Sequence, residues 1–309
     1  MTPAALVDIR HQLLRGLDEN PSWAPVEAYL ARVLRAEFDP DILAFRRIGP
    51  YTSPAILDNL IRYEAVHAIR DRRELLRRLQ ADRRCFGLFH ASMPDEPVAF
   101  TEIAFTRSLT AQVQPLLDPE SPVIDPASCD CAMFYSISSC HEGLRGVPFG
   151  NALIRRAVDA LGREAPQLTT FATVSPVPGF RAWLTDAASQ GGRSRADLAA
   201  RLKDPSWLRD PAKSKELEAT LLPLCAFYLL HVKRGTDPID PVARFHLGNG
   251  ARLERINWLG DASMAGLERS GGLTANYVYS LPEIDRNQDA YRTKRTVTAS
   301  RWIERLANA

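Results

Sequence analysis

No apolar run in the chain approaches the roughly 18 residues that a membrane-spanning helix needs. Asp8, Arg10 and His11 also stand where a secretory signal would be apolar. These two absences give the expectation of a cytoplasmic protein without a membrane partner. Cysteine is scarce: Cys85, Cys129, Cys131, Cys140 and Cys225 are odd in number and scattered, which suits reduced thiols and argues against a disulfide framework. Cys129 and Cys131 form a C-x-C that lacks a second ligand pair, and His11, His67, His90, His141 and His231 have no ligand spacing, so no metal site is expected. An excess of one charge is missing too. With 39 basic against 37 acidic residues the formal charge is +2, which gives no global pull toward nucleic acid. Internal repeats of fixed period are also absent.

What is present is an ordinary globular composition, 45% hydrophobic and 25% charged over 309 residues, enough for one large domain or one domain with a smaller accessory. Residues 1–82 show helix periodicity almost throughout. Leu6, Ile9, Leu13 and Leu14 make one apolar stripe, Val26, Tyr29, Leu30, Val33 and Leu34 a second, and Ser53-Pro54 opens a third helix through Ile56, Leu57, Leu60 and Ile61. A fourth helix is predicted from Asp71 to about Gln80, with Arg72, Arg73, Arg77 and Arg78 read as its solvated face. Short helices with wide apolar stripes must pack on something: on each other, on the rest of the chain, or on a second copy in a homo-oligomer.

From Arg84 the period becomes extended. Phe86 to Phe89 and Val98 to Phe105 form a candidate hairpin, and four prolines between residues 107 and 130 argue a loop around a short helical piece near Leu109 to Leu116. Ala132 to Ser138 alternates as a strand, a helix follows through Leu153, Ile154, Ala157, Val158 and Leu161, and Leu168 to Val174 is the next strand. Residues 83–309 are therefore expected to form the main domain, with a helical insertion at about 184–235 that contains a Gly191-Gly192 break and a strong helix from Lys213 to Val232. Phe245 to Gly250 reads as a turn, Ala251 to Trp258 and Asn276 to Leu281 as strands, and Asn287 to Ala307 as one closing helix.

The stretch from Phe134 to Leu184 carries the chemistry. Strand, glycine-punctuated turn, helix and strand in that order present backbone N–H groups at a helix N-terminus, where an anion binds. Ser175 precedes Pro176 and is pushed toward extended angles at a strand end.

The turn Arg145-Gly146-Val147-Pro148-Phe149-Gly150 resembles the pyrophosphate loop of the GNAT acetyltransferase superfamily, with Pro148 in place of the middle glycine and one N–H fewer. Longer runs extend the likeness. F-Y-S-I-S, G-L-R-G-V-P-F-G, S-P-V-P-G-F, D-P-V-A-R-F-H-L-G-N-G-A, R-I-N-W-L-G-D-A-S and G-L-T-A-N-Y-V-Y resemble, in order, those of the malonyl-CoA decarboxylase family, from roughly Ala5 to the C-terminus. The resemblance implies an α/β fold with an acetyltransferase-type (GNAT-like) mixed sheet and flanking helices, preceded by a short α-helical N-terminal region. That family's helical bundle is usually longer, so the helices before about residue 80 would be its last part.

The activity implied is decarboxylation of malonyl-CoA to acetyl-CoA and carbon dioxide, a step of fatty acid metabolism, without metal or organic cofactor. A malonyl-carrier protein would offer the same reactive end. Carried over by motif, Ser175 and His246 are the catalytic residues, with Ser136 and Tyr279 as further polar groups of the site. The coenzyme A pyrophosphate would lie on Arg145, Gly146, Val147, Phe149, Gly150 and Asn151. In that scheme Ser175 holds the departing carboxylate, backbone N–H groups near Ser136 stabilise the enolate, and His246 protonates C2 with Tyr279 orienting it. Two other readings stay open: an acyl-CoA-dependent N-acyltransferase, and an acyl-CoA-binding protein without catalysis.

Overall fold

The protein, a computed structural model, is described over residues 2–189 and 193–308, so the Gly191-Gly192 break lies outside the described residues. The chain divides into two compact units. One comprises Met1–Phe105, Leu117–Cys129 and Phe134–Leu168, the other Thr106–Leu116, Asp130–Met133 and Thr169–Ala309. The architecture is mixed α/β, and among the described residues no helix is long and apolar enough to cross a membrane.

The first unit opens with helices α1 (Pro3–Gly16) and α2 (Ala24–Glu37), strand β1 (Ala44–Ile48), and helices α3 (Pro54–Tyr63) and α4 (Arg72–Arg77). Strands β2 (Arg83–Phe89) and β3 (Pro97–Thr106) form the expected antiparallel hairpin, and both are buried along their whole length. The one-turn helix α5 (Gln114–Leu117) in the proline-rich loop falls almost wholly in the other unit's Thr106–Leu116 segment; β4 (Cys131–Ser139), which belongs to this unit from Phe134 on, and the long helix α6 (Phe149–Glu164) follow. The strand order here is β1-β2-β3-β4.

β1 was not expected among helices. Two of its five residues are arginine, so its apolar alternation is weak, and its conformation comes from antiparallel pairing with β2, Ala44 opposite Phe89 and Ile48 opposite Cys85. The stripes of the N-terminal helices are covered only in part within the unit, since Ile9, Val26 and Tyr29 stay exposed. Val7, Leu34 and Phe38 share one apolar cluster with Leu88, Val98 and Phe149, and Ile56, Leu57 and Leu60 share another with Cys85, Phe89 and Phe100.

The second unit contains β5 (Thr170–Thr173), β6 (Ser175–Pro176), α7 (Phe180–Ser189), α8 (Arg193–Arg201) and α9 (Pro211–His231), then the short pair β7 (Lys233–Arg234) and β8 (Asp237–Pro238). Helix α10 (Pro241–Gly248), strand β9 (Arg252–Asn257), α11 (Met264–Ser270), β10 (Thr274–Tyr279), α12 (Ile284–Lys294) and α13 (Arg301–Ala307) complete it. β10 is its centre. One edge pairs with β9; the other pairs with β5 near Tyr279 and with β6 near Ala275, so the strand that holds Ser175 is interrupted at Val174.

The single closing helix expected from Asn287 to Ala307 is two helices. Arg295 adopts a left-handed conformation at φ 52° and ends α12, and the β-branched run after it extends along β9, where Leu253 N–H donates to the Thr298 carbonyl.

The arginine face of α4 is solvated only in part. Arg72 and Arg73 are exposed, but Arg77 and Arg78 are 2% and 1% exposed. Arg78 pairs with Glu102 at 2.6 Å, and Arg77 forks onto Asp82 at 2.9 and 3.2 Å while Arg83 approaches the same carboxylate at 2.8 Å. Burial alone would raise the Asp82 carboxyl, yet the two guanidinium groups and the Ile124 N–H bring it below its usual value.

Asp82→Asn is expected to lower the unfolding free energy by about 3–5 kcal/mol near neutral pH, because two buried guanidinium groups lose their counter-charge. The free carboxyl titrates at 3.8 and the folded one lower, so the stabilisation is present above that value and fades as pH falls through the folded one. Urea titrations near neutrality and in acid check both points: a wide gap between wild type and variant that narrows in acid. Equal stability at neutral pH contradicts the account.

Candidate active site

All three residues that meet at the candidate site come from the second unit. Ser175 begins β6, His246 lies third from the end of α10, and Tyr279 ends β10. α10 is a helix where a turn was expected. The Asp240 side chain caps it by accepting from the Val242 and Ala243 N–H groups at 3.0 and 2.9 Å, and Pro241 occupies its first position.

The hydrogen bonds form a directed chain. Ser175 Oγ donates to Thr173 Oγ1 at 2.9 Å. That hydroxyl has one proton, so its 2.9 Å contact with His246 Nε2 takes the hydrogen from the imidazole. Nδ1 therefore carries the lone pair, and Tyr279 Oη donates to it at 2.8 Å. His246 is 3% exposed and Ser175 7%. Burial pushes the imidazole down to about 3, so the free protein holds it neutral, and burial likewise raises the Tyr279 phenol.

Residues not singled out from the sequence hold this chain in place. Tyr277 stacks on the imidazole with ring centroids 4.5 Å apart and planes 25° from parallel. Thr173 also accepts from the Tyr277 N–H at 3.3 Å, and its own carbonyl accepts from Asn276 Nδ2 at 2.7 Å. Asp240 ties the Ser175 loop to the His246 helix: besides capping α10 it accepts from the Gly179 N–H and from Tyr228 Oη, both at 3.3 Å. Burial raises its carboxyl above the usual range. Two of these residues carried a local signal, since Thr173 and Tyr277 stand two positions before Ser175 and Tyr279 on the same strand faces. Asp240-Pro241 was a third, a helix-start signature next to the histidine.

The other expected site residues belong to the first unit. Ser136 is 2% exposed, and its hydroxyl donates to Glu64 Oε2 at 2.6 Å, a carboxylate that also accepts from the Val66 and His67 N–H groups. In the loop before α6, the Arg145 guanidinium pairs with Glu142. Gly146 has φ +89°, a conformation that favours glycine. The Val147 and Phe149 N–H groups are bonded to the Leu144 and Val147 carbonyls, and the Phe149 side chain is in the core. Among the described residues, the N–H of Gly146 and the first-turn N–H groups of Gly150 and Asn151 have no acceptor and remain as donors.

The model of the malonyl-CoA decarboxylase C-terminal domain matches residues 41–309. The mitochondrial malonyl-CoA decarboxylase of Anser anser anser is 32% identical over 327 residues, which cover 96% of this chain and 65% of the relative. The chain thus spans slightly less than two thirds of that relative's length. Among solved structures, the malonyl-CoA decarboxylases of Rhodopseudomonas palustris and Agrobacterium vitis each superimpose with a TM-score of 0.92 at 39% identity, over 98% of this chain and 75% of theirs. Family model, sequence relatives and solved structures agree, and the chain belongs to the malonyl-CoA decarboxylase family.

Proposed function

We propose that this chain removes the free carboxylate of malonyl-CoA as carbon dioxide and leaves acetyl-CoA, with Ser175, His246 and Tyr279 carrying the reaction. The observation behind this reading is the directed chain from Tyr279 through a neutral, buried imidazole to Ser175, in a member of this family.

Breaking the bond between C2 and the carboxylate sends its electron pair into the thioester as an enolate, which then takes one proton at C2. The thioester is the electron sink, so the scheme uses no metal or organic cofactor. Ser175 turns its hydroxyl from Thr173 toward the substrate carboxylate and holds that group across the thioester plane. A carboxylate beside Nε2 raises the imidazole from its resting value and favours the imidazolium, whose added proton comes from solvent to Nδ1 while the Tyr279 hydroxyl turns to accept from it. Loss of carbon dioxide removes that anion, and the proton passes to C2 as the carbanion forms. Tyr279 fixes the ring by holding Nδ1. Ser136 has no step in this scheme, because its hydroxyl is directed to Glu64.

Recognition of coenzyme A falls to the loop from Arg145 to Asn151, whose donors at Gly146, Gly150 and Asn151 suit a pyrophosphate. A malonyl group on a carrier protein's phosphopantetheine arm presents the same reactive end and is the second substrate to assay. A cytoplasmic location belongs to the same reading, supported by five free, buried cysteines. So does a second copy packed through α1 and α2, supported by the exposed Trp23, Val26 and Tyr29; a one-chain mass by light scattering would remove it.

His246→Ala and Ser175→Ala are each expected to lower kcat for malonyl-CoA by about 100-fold or more, read as acetyl-CoA formed by mass spectrometry. Activity within about twofold of wild type in either variant would contradict its role. In the free protein, the His246 ring resonances should show no titration near neutrality. The unfolded imidazole titrates at 6.5 and the folded one at about 3, so unfolding takes up a proton between those values and stability falls as pH drops through them. An NMR inflection of His246 close to 6.5 would refute the buried neutral state.

A further inference from the structure

We infer that Arg10 on α1 is a positioning residue that holds the loop before α6 in its anion-binding shape, and so sets the preference for thioesters that carry a pyrophosphate. The inference rests on the assignment of that loop to coenzyme A under Proposed function, and every residue it uses lies in the first unit.

Arg10 is only 5% exposed. Its Nε and Nη2 donate to one oxygen of Glu27 on α2, at 3.0 and 2.8 Å, which fixes the plane of the guanidinium. The remaining nitrogen, Nη1, donates to the carbonyls of Gly143 at 2.8 Å and Arg145 at 2.9 Å, more than 130 residues away in sequence. A cation buried this deeply on two loop carbonyls has a consequence for the opposite side of the same peptides.

No peptide bond in the described residues is cis, so each N–H points opposite to the carbonyl of its own peptide unit. The Arg145 carbonyl is turned onto Arg10, and the Gly146 N–H that shares its peptide is turned away from α1, with no hydrogen-bond partner among the described residues. The next carbonyl, that of Gly146, accepts from Arg35 Nη2 on α2 at 3.4 Å. Two arginines of the N-terminal helices thus hold consecutive carbonyls of the loop. The donor left opposite the Arg145 carbonyl is the one that a glycine at φ +89° makes available.

The loop is seated from below as well. A Cβ at Gly143 would fall 2.0 Å from the Val7 carbonyl oxygen of α1, so backbone meets backbone there, and Leu144 and Phe149 enter the same apolar cluster as Val7 and Leu34. Without Arg10 those two carbonyls would be left without their charged donor close to the apolar cluster, and the loop would turn them toward other donors.

The test uses the full chain and two ligands. Coenzyme A carries the pyrophosphate, and pantetheine ends before it. Dissociation constants for both, from calorimetry and from competition at high pantetheine concentration, give a preference ratio for each variant. Arg10→Ala is expected to reduce that ratio by about 10-fold or more, through weaker coenzyme A binding with pantetheine unchanged. Gly143→Ala, which lifts the loop off Val7, should do the same, and Arg10→Lys should recover part of the loss. If Arg10→Ala does not fold, Glu27→Gln and Gly143→Ala read the same ratio. An unchanged ratio, or equal weakening of both ligands, overturns the inference. Binding is read without turnover, so a protein that binds coenzyme A with this preference but leaves malonyl-CoA intact would overturn the decarboxylation reading and leave this one standing.

Discussion

A single buried imidazole, kept neutral and held at both nitrogens, is the constraint on which the candidate site depends. Water cannot solvate a charge on His246, so the ring needs a partner on each side that works with the uncharged form: the Tyr279 phenol on Nδ1 and the Ser175 hydroxyl on Nε2. Tyr277 covers one face of the ring. The surrounding fold serves that geometry. β10 supplies both tyrosines from one strand face, the break at Val174 turns Ser175 toward the histidine, and Asp240 joins the serine loop to the histidine helix with four accepted hydrogen bonds. In the proposed reaction, a neutral resting ring would let the substrate's own charge control protonation and so couple proton delivery to the loss of that charge.

In the first unit arginine plays the structural part that apolar residues play elsewhere. Arg77 and Arg83 close on Asp82, Arg78 on Glu102, and Arg10 on Glu27 and two loop carbonyls. Each is a buried cation whose position is dictated by an acceptor that is distant in the fold or fixed by a turn. Such groups contribute little net stability compared with an apolar replacement, but they are severe about geometry, because a misplaced partner leaves a charge unpaired. That severity suits the proposed role of the loop before α6, which would present N–H groups in one orientation.

How much of this could be read from the residues depended on whether the determining contact was local. The β2–β3 hairpin, α9 and the helix through Leu153 follow from periodicity within a few turns, and the structure has them close to the expected positions. β1 does not, since a strand with arginines at positions 46 and 47 acquires its conformation from β2, some forty residues later. Arg77 and Arg78 fit a solvated helix face by spacing alone; only Asp82 and Glu102, reached through the fold, make them interior. Ser175, His246 and Tyr279 were singled out by motif resemblance, and the structure brings them together. Their environment is less legible: Phe245 to Gly250 reads as a turn from its glycines, whereas the Asp240-Pro241 helix start upstream decides for a helix. Arg10 had no signal at all beyond its place near an apolar stripe, because both of its carbonyl partners lie in a loop more than 130 residues away.

In the proposed reaction the new proton goes to C2. Malonyl-CoA incubated with the purified chain in deuterium oxide should yield acetyl-CoA with a deuteron added at C2 and one equivalent of carbon dioxide, both read by mass spectrometry. Intact malonyl-CoA, or cleavage to free malonate and coenzyme A, would contradict it.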